Sequence, residues 1–223
     1  MVPPGALLDD GRAMTRLTPE PITLVGRIVR LEPLSRDHLS GLIDATNDGD
    51  MWDRWYTSVP RPEAMAAEIE RRLGLQAEGS MLPFTTIRQA DGQVLGMTTF
   101  MDIEPSVPRV EIGSTWNRGS AHGSGSNPES KLLLMTHAFE VWHVEVVRFL
   151  THRMNLQSRA AIERLGAELE GILRAHVLDR DGRVRDTAAY SVLARDWPMV
   201  KAGLEHRLLR RERERAPHAD DGG

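Results

Sequence analysis

Hydrophobic positions divide the chain into segments that alternate between a strand-like and a helix-like spacing. Alternating apolar residues predict strands, and apolar residues three and four positions apart predict helices. The predicted strands cover residues 22–33, 83–88, 94–103, 109–116, 145–152, 168–178 and 185–193. The predicted helices cover residues 36–45, 62–76, 128–142, 157–165 and 197–208. This interleaving of strands and helices is typical of the α/β class.

Turn and cap residues support these boundaries. Asp-Gly pairs at 91–92 and 181–182 are hairpin signals between the strands that they separate. Ser35 is predicted to cap the first helix. The strand, helix and strand within residues 109–152 should form a parallel crossover, so we expect a sheet of mixed strand direction.

The two ends of the chain differ in composition from the part between them. Residues 1–20 carry Pro, Gly and acidic residues without periodicity, and are predicted to form a flexible arm. Residues 209–223 are charged and poor in apolar side chains, which predicts a disordered tail. Residues 21–208 are therefore expected to form the folded domain.

Composition and charge exclude several classes of protein. The 223 residues include 28 basic and 32 acidic side chains, and the net charge of -4 argues against a dedicated nucleic-acid-binding protein. The absence of cysteine excludes disulfides and thiolate chemistry. No apolar run approaches the roughly 18 residues of a membrane helix, and the start does not resemble a secretion signal, so we expect a cytoplasmic protein without membrane association. The histidines lack the spacing of a metal site, and no metal is expected.

The segment between the fourth predicted strand and the third predicted helix is rich in glycine and serine. It comprises His122, Gly123, Ser124, Gly125, Ser126 and Asn127. Small side chains let a backbone wrap closely around a ligand, and unpaired N–H groups at a helix N-terminus favour an anion. Asn127 is predicted to cap the helix, with Pro128 at its first position. A phosphate or pyrophosphate is the expected ligand, although such a loop also serves as a simple connector.

Known nucleotide-binding loops do not fit this segment. A Walker loop ends in Gly-Lys-Ser or Gly-Lys-Thr, and Lys131 lies too far into the helix for that match. No glycine stands at the position that would complete a dinucleotide fingerprint after Gly125.

Two ordered segments around the loop resemble the GNAT acyltransferases, and in particular their RimJ/RimL-type branch. Residues 109–116 together with the glycine loop are similar to motif A, and residues 155–167 are similar to motif B. The resemblance covers about residues 22–205. It implies the GNAT fold, a mixed and mostly antiparallel sheet with a central parallel strand pair flanked by helices. It also implies an N-acetyltransferase that moves an acetyl group from acetyl-CoA to a primary amine by direct transfer.

The resemblance also implies roles for individual residues. The cofactor-binding positions that it implies are Gly113, Ser114, His122, Gly123, Ser124, Gly125, Ser126, Asn127 and Asn155. Glu111 and Glu170 are candidate bases for the amine, and Ser158 is a candidate proton donor to the leaving thiolate. The candidate wall of the acceptor site consists of Trp52, Trp55 and Tyr56. The acceptor would be a small-molecule amine or a protein N-terminus, and the protein would be a homodimer.

Simpler roles stay open for the same residues. Each glutamate could form a surface salt bridge, Asn155 could cap a helix, and the aromatic residues could pack in the core. His122, Asn127 and Ser114 depart from the residues usual at these positions of the family. Two alternatives therefore remain: the same fold with another acyl-CoA such as succinyl-CoA, and a non-catalytic CoA-binding or interaction module.

Overall fold

The computed structural model describes residues 19–49, 51–53, 55, 57, 59–104, 107–179 and 181–215. The strands are β1 (Leu24–Val25), β2 (Val29–Pro33), β3 (Met81–Arg88), β4 (Val94–Glu104), β5 (Arg109–Asn117), β6 (Val146–His152), β7 (Glu168–Leu178) and β8 (Val184–Leu193). The helices are α1 (Leu39–Asn47), α2 (Met65–Ala77), α3 (Ser126–Thr136), α4 (Leu156–Glu163) and α5 (Trp197–Arg215). The order of elements agrees with the order predicted from the hydrophobic pattern.

The strands form one eight-stranded sheet in the order β1-β2-β3-β4-β5-β6-β8-β7. Neighbouring strands are antiparallel except for β5 and β6, which are parallel. Helix α3 makes the crossover between these two strands. The prediction of a mixed, mostly antiparallel sheet with a central parallel pair is therefore confirmed.

Both faces of the sheet are covered, but by different helices. Val110 and Ile112 of β5 point into a core that also contains residues of α3, α4 and α5, such as Leu134, Ile162 and Leu204. The opposite face of the N-terminal strands packs against α1 and α2. That second core contains Leu34, Leu42, Ala45, Val59, Met65, Ile69, Met97 and Trp116. Because side chains alternate along a strand, Glu111 lies on the face opposite Val110 and Ile112.

The main differences from the prediction concern three regions. Residues 22–33 form two strands, because the chain turns at Gly26, whose N–H donates to the Val29 carbonyl at 2.8 Å. The predicted helix 128–142 begins earlier and widens into a π turn over His137–Val141. Helix α5 continues to Arg215, so residues 209–215, predicted as disordered, are helical. Charged i,i+4 pairs such as Arg210–Glu214, with an N–O distance of 3.3 Å, support that last segment.

Candidate active site

The central parallel pair of strands opens into a gap. Strands β5 and β6 pair only where Arg109–Glu111 meets Val146–Arg148, although they continue to Asn117 and His152. The gap lies at the carboxyl ends of two parallel strands, and open α/β sheets bind ligands at such positions. The gap is therefore the candidate site.

A β-bulge shapes the β5 side of the gap. Thr98 of β4 lies opposite two residues of β5, Ser114 and Thr115, because the register shifts between Met97 and Thr99. Ser114 has φ 46°, a left-handed conformation that is rare for residues other than glycine. Such a conformation costs free energy, and it persists only where the surrounding structure holds it in place.

Arg72 of α2 holds the bulge from one face of the sheet. Its guanidinium donates to the Ser114 carbonyl at 3.3 Å and to Thr99 Oγ1 at 2.8 Å. The same group is paired with the Glu68 carboxylate at 2.6 Å, so its buried charge is compensated. In the sequence Arg72 is one of several charged residues of a helix, and the pattern does not reveal this contact.

Lys131 of α3 holds the bulge from the other face. Its Nζ lies 2.8 Å from Thr98 Oγ1 and 2.6 Å from Thr115 Oγ1, so it bridges the two strands. Lys131 is 5% exposed and has no carboxylate partner among the described residues. Burial lowers the pKa of its amine to about 7. The sequence alone excluded a Walker role for Lys131 and indicated no other.

The glycine loop leads directly into α3, but its capping residues differ from the prediction. Gly125 occupies the cap position with φ 96°, and the helix begins at Ser126, so Asn127 does not cap it and Pro128 is not its first residue. A Cβ at position 125 would lie 2.9 Å from Ile28 Cδ1. The left-handed backbone favours glycine there, whereas the end of the Ile28 side chain could shift to admit a Cβ.

Fewer backbone donors face a ligand than the loop's composition suggests. The N–H of Ser126 donates to Ser124 Oγ at 3.2 Å, and Pro128 has no N–H. The N–H of Asn127 is in the first helical turn, where intrahelical partners are absent. His122 is exposed, and its N–H donates to the Gly119 carbonyl at 3.0 Å.

The start of the loop is anchored by a charged cluster that the sequence pattern did not reveal. Asp48, just after α1, accepts from Arg118 Nε at 2.7 Å and from the Ser120 hydroxyl at 2.5 Å. These contacts, the Ser120 hydroxyl first, lower the pKa of the Asp48 carboxyl. The N–H of Gly119 also donates to the Asp48 carbonyl at 2.7 Å. The loop is thereby tied to the other face of the sheet.

Glu111 is a buried carboxyl beside the gap. Its side chain is 7% exposed, and no hydrogen bond or salt bridge to it is found among the described residues. Burial, and to a smaller extent Asp102, raises the pKa of the Glu111 carboxyl to about 7, while Arg148 and Arg185 oppose the increase. A Cβ at position 113 would lie 2.7 Å from Glu111 Oε1, so Gly113 makes room for this carboxyl.

The other candidate base lies elsewhere. Glu170 is exposed on β7, the edge strand, at a register shift between Leu169 and Gly171. Strands β6 and β8 separate β7 from β5. At about 4.8 Å per strand spacing, Glu111 and Glu170 are roughly 14 Å apart across the sheet. The structure therefore does not bring the two glutamates together.

The predicted residues of motif B lie at the start of α4. Asn155 caps this helix, and its Oδ1 accepts from the Ser158 N–H at 3.0 Å. Asn155 thus has the helix-capping role that the sequence left open. Ser158 is in the first turn, partly exposed, just beyond the end of β6.

A cavity of about 300 Å³ lies on the Glu111 face of the sheet, near the end of β6. Its lining residues are Trp55, His152, Arg153, Met154, Asp179, Arg183, Val184, Arg185 and Asp186. Trp55 meets His152 edge-on, with ring centroids 5.1 Å apart. Trp52 instead packs against the core of α1 and α2, with the Arg61 guanidinium 4.4 Å above its ring. Tyr56 lies outside the described residues.

The described residues include neither a membrane-spanning helix nor a metal-binding cluster. In residues 19–215, apart from the gaps given above, no helix has the length and apolar character needed to cross a membrane. The same part of the chain holds no cluster of three or more His, Cys, Asp or Glu residues suited to a metal ion.

Comparison with known proteins agrees with this geometry. Residues 29–168 match the acetyltransferase (GNAT) domain, so the chain belongs to the GNAT acetyltransferase family. It is an N-acetyltransferase, and the family predicted from motifs A and B is confirmed. None of the curated proteins compared with the sequence matches it.

Solved structures with the same fold include near and distant relatives. A GCN5-related N-acetyltransferase from Brucella melitensis is 34% identical, with a TM-score of 0.76 over 85% of this chain and 86% of that one. A candidate acetyltransferase from T. thermophilus is 36% identical, with a TM-score of 0.74 over 85% of this chain and 98% of that one. RimJ of Mycobacterium smegmatis, solved in complex with a CoA disulfide, is 21% identical, with a TM-score of 0.71 over 86% of this chain and 96% of that one. At 21% identity, the similarity to RimJ shows a shared fold alone.

Proposed function

We propose that this chain transfers an acetyl group from acetyl-CoA directly to a primary amine, with Glu111 as the base. The observation that carries the proposal is the buried Glu111 carboxyl beside the gap between β5 and β6, with a pKa of about 7. A general base works best when its pKa lies near the operating pH. An amine is mostly protonated at neutral pH, and Glu111 in its carboxylate form accepts the proton that must be lost before attack.

The residues around the gap fit a CoA molecule. Ser114 is exposed at the bulge, Gly113 beside it is buried, and the glycine loop carries small side chains and the N-terminus of α3. We propose that the loop, His122 to Asn127, holds the pyrophosphate, and that Gly113 and Ser114 hold the pantetheine amides. When bound there, acetyl-CoA supplies an acetyl group activated as a thioester.

Two residues of α4 complete the proposed site. The Ser158 hydroxyl lies at the start of the helix that follows β6, and we assign to it the donation of a hydrogen bond or proton to the leaving thiolate. The Asn155 amide keeps this first turn in place through its cap to the Ser158 N–H. Glu170, exposed on the edge strand, is the less suitable base because solvent competes for its carboxylate.

The acceptor side of the proposed site is the cavity beside Trp55. It lies on the same face of the sheet as Glu111, and Arg185 both lines it and influences the Glu111 carboxyl. A small-molecule amine or a protein N-terminus could reach Glu111 from there. A homodimer and a cytoplasmic location stay predictions.

The proposal is tested with the purified full-length chain. Calorimetric titration with CoA should show binding, and acetyl-CoA with a panel of primary amines should release free thiol at a rate that depends on the amine. Binding without thiol release for any amine would favour a non-catalytic CoA-binding module. Faster release from succinyl-CoA than from acetyl-CoA would replace the proposed donor.

A further inference from the structure

The charges around the acceptor cavity do not balance. Asp186 is paired with Arg174 at 2.9 Å and with Arg153 at 3.7 Å. Asp179 is paired with Arg183 at 3.1 Å. These pairs account for both carboxylates of the cavity lining.

Arg185 is the arginine of the cavity lining that remains without a carboxylate partner among the described residues. It has no salt bridge or hydrogen bond among the described residues, and its Nε is buried without an acceptor. A buried donor without a partner is costly in a folded protein, and such groups call for an explanation such as a missing ligand. The cavity is therefore lined by a guanidinium that has no acceptor among the described residues.

The position of Arg185 relates it to the proposed base. His152 of β6 lies opposite Thr187 of β8, so Arg185, two residues before Thr187, is on the face of His152. Arg148 of β6 is opposite Glu111 in the parallel pair, which places Glu111 on that face too. The side chains of Arg185 and Glu111 therefore lie on the same face of the sheet.

We propose that Arg185 binds a carboxylate of the acceptor, so that the acceptor is a primary amine that also carries a carboxylate. This inference rests on the proposed function. The planar guanidinium presents paired N–H donors that match a carboxylate, and the bond is charge-assisted. Trp55 and Met154, each 51% exposed, offer an apolar wall for the carbon atoms between the two charged ends. Free amino acids and acidic peptides share this chemistry.

The test compares acceptors that differ only in that carboxylate. The first pair is 6-aminohexanoate and its amide, in which the amine is too far from the carboxyl for its own pKa to change much. The second pair is amidated Ser-Glu-Ala and Ser-Gln-Ala peptides. We expect the acid of at least one pair to have a kcat/KM about tenfold or more above its neutral partner, the size expected for one charge-assisted hydrogen bond. The pair that shows the preference identifies the source of the acceptor.

Two arginine variants test whether Arg185 causes the preference for the acid over its neutral partner. Arg185→Met should remove it by raising KM for the acid alone, while KM for acetyl-CoA stays unchanged. Arg195→Met, which alters an 80% exposed arginine beyond the end of β8, is the control and should retain it. Equal kcat/KM values within both pairs, or a preference that survives in Arg185→Met, would overturn the assignment.

Direct binding separates this inference from the proposed function. If no amine releases thiol, the proposed function fails, and calorimetry with 6-aminohexanoate and its amide still measures the carboxylate site. Tighter binding of the acid to the wild type than to Arg185→Met would support the site, and equal binding would reject it.

Discussion

At the scale of single residues, Glu111 shows how burial changes the chemistry of a common side chain. On the surface it would be ionised at neutral pH, with a pKa near its ordinary value of 4.5. Buried beside Gly113, it exchanges its proton near neutrality, which suits acid–base work on an amine. The same burial costs stability, because the ionised form is disfavoured in the folded protein.

Replacing the carboxyl tests its role. Glu111→Gln should lower kcat by about 100-fold to 10,000-fold, the range for loss of a general base, with little effect on CoA affinity. The wild-type rate should rise with pH through about 7 as Glu111 loses its proton. The measurement is kcat against pH by thiol release.

Stability provides an independent check on the same variant. The folded pKa of Glu111 is raised, so its favourable contribution is complete below pH 4.5 and is lost as pH rises through about 7. Glu111→Gln should therefore be more stable than the wild type at pH 8, by up to about 3 kcal/mol, and should show no such gain at pH 4. Glu170→Gln is the control for the loss of kcat. A large loss of kcat there, with Glu111→Gln active, would transfer the base role to Glu170.

At the scale of elements, the bulge in β5 is held by two helices that lie on opposite faces of the sheet. Arg72 of α2 fixes the Ser114 carbonyl, and Lys131 of α3 joins Thr98 to Thr115. Arg72 has the Glu68 carboxylate beside it, whereas Lys131 has only hydroxyl partners among the residues that the structure describes. A buried amine without a counter-ion lowers stability, and we infer that Lys131 positions the bulge to which the proposed function assigns CoA binding.

Lys131→Met tests that role. It should weaken CoA binding by about tenfold by calorimetry, because the bulge loses both bonds from Nζ and keeps only the direct contact of 2.9 Å between the Thr98 and Thr115 hydroxyls. Since the folded pKa of Lys131 is lowered from 10.5 to about 7, the charged amine destabilises the fold most below pH 7. The stability of the variant relative to the wild type should therefore improve as pH falls from 10 to 7. Lys201→Met, at the partly exposed second lysine of the chain, should change neither quantity, and equal CoA affinity in both variants would contradict the positioning role.

At the scale of the whole molecule, one carboxylate joins the start of the sheet to the helix that follows the glycine loop. Glu129 in the first turn of α3 accepts from the backbone N–H groups of Arg27 at 3.0 Å, Ile28 at 2.7 Å and Val29 at 2.7 Å. The Glu129 side chain is 5% exposed. These contacts explain why residues 22–33 form two strands with a turn, since the turn presents its N–H groups to the carboxylate.

Loss of this carboxylate should lower the stability of the whole fold. Glu129→Gln places an amide group against backbone donors, and we expect it to lower the free energy of unfolding by about 2–4 kcal/mol. Urea denaturation followed by circular dichroism measures the difference. The comparison variant is Glu70→Gln, which breaks an exposed pair with Arg36 and should cost far less, because solvent screens an exposed ion pair. Similar small losses in both variants would show that Glu129 does not tie the two regions together.

Local patterns in the sequence predicted most of the elements and the glycine loop. Periodicity depends only on near neighbours along the chain, so strands such as β5 and β7 were found with nearly correct ends. Capping was less predictable. Asn127 is a suitable cap by residue type, yet the left-handed backbone at Gly125 places the start of α3 at Ser126.

The sequence by itself determined the order of elements, the family motifs and the small residues of the glycine loop, because these depend on spacing along the chain. Only the tertiary structure decided between Glu111 and Glu170 as the buried carboxyl, since burial depends on which strand lies at the centre of the sheet. It also brought Arg72 and Lys131 to the bulge from separate helices. Such contacts join residues far apart in the chain, and the free energy that shifts their pKa values comes from loss of water on folding.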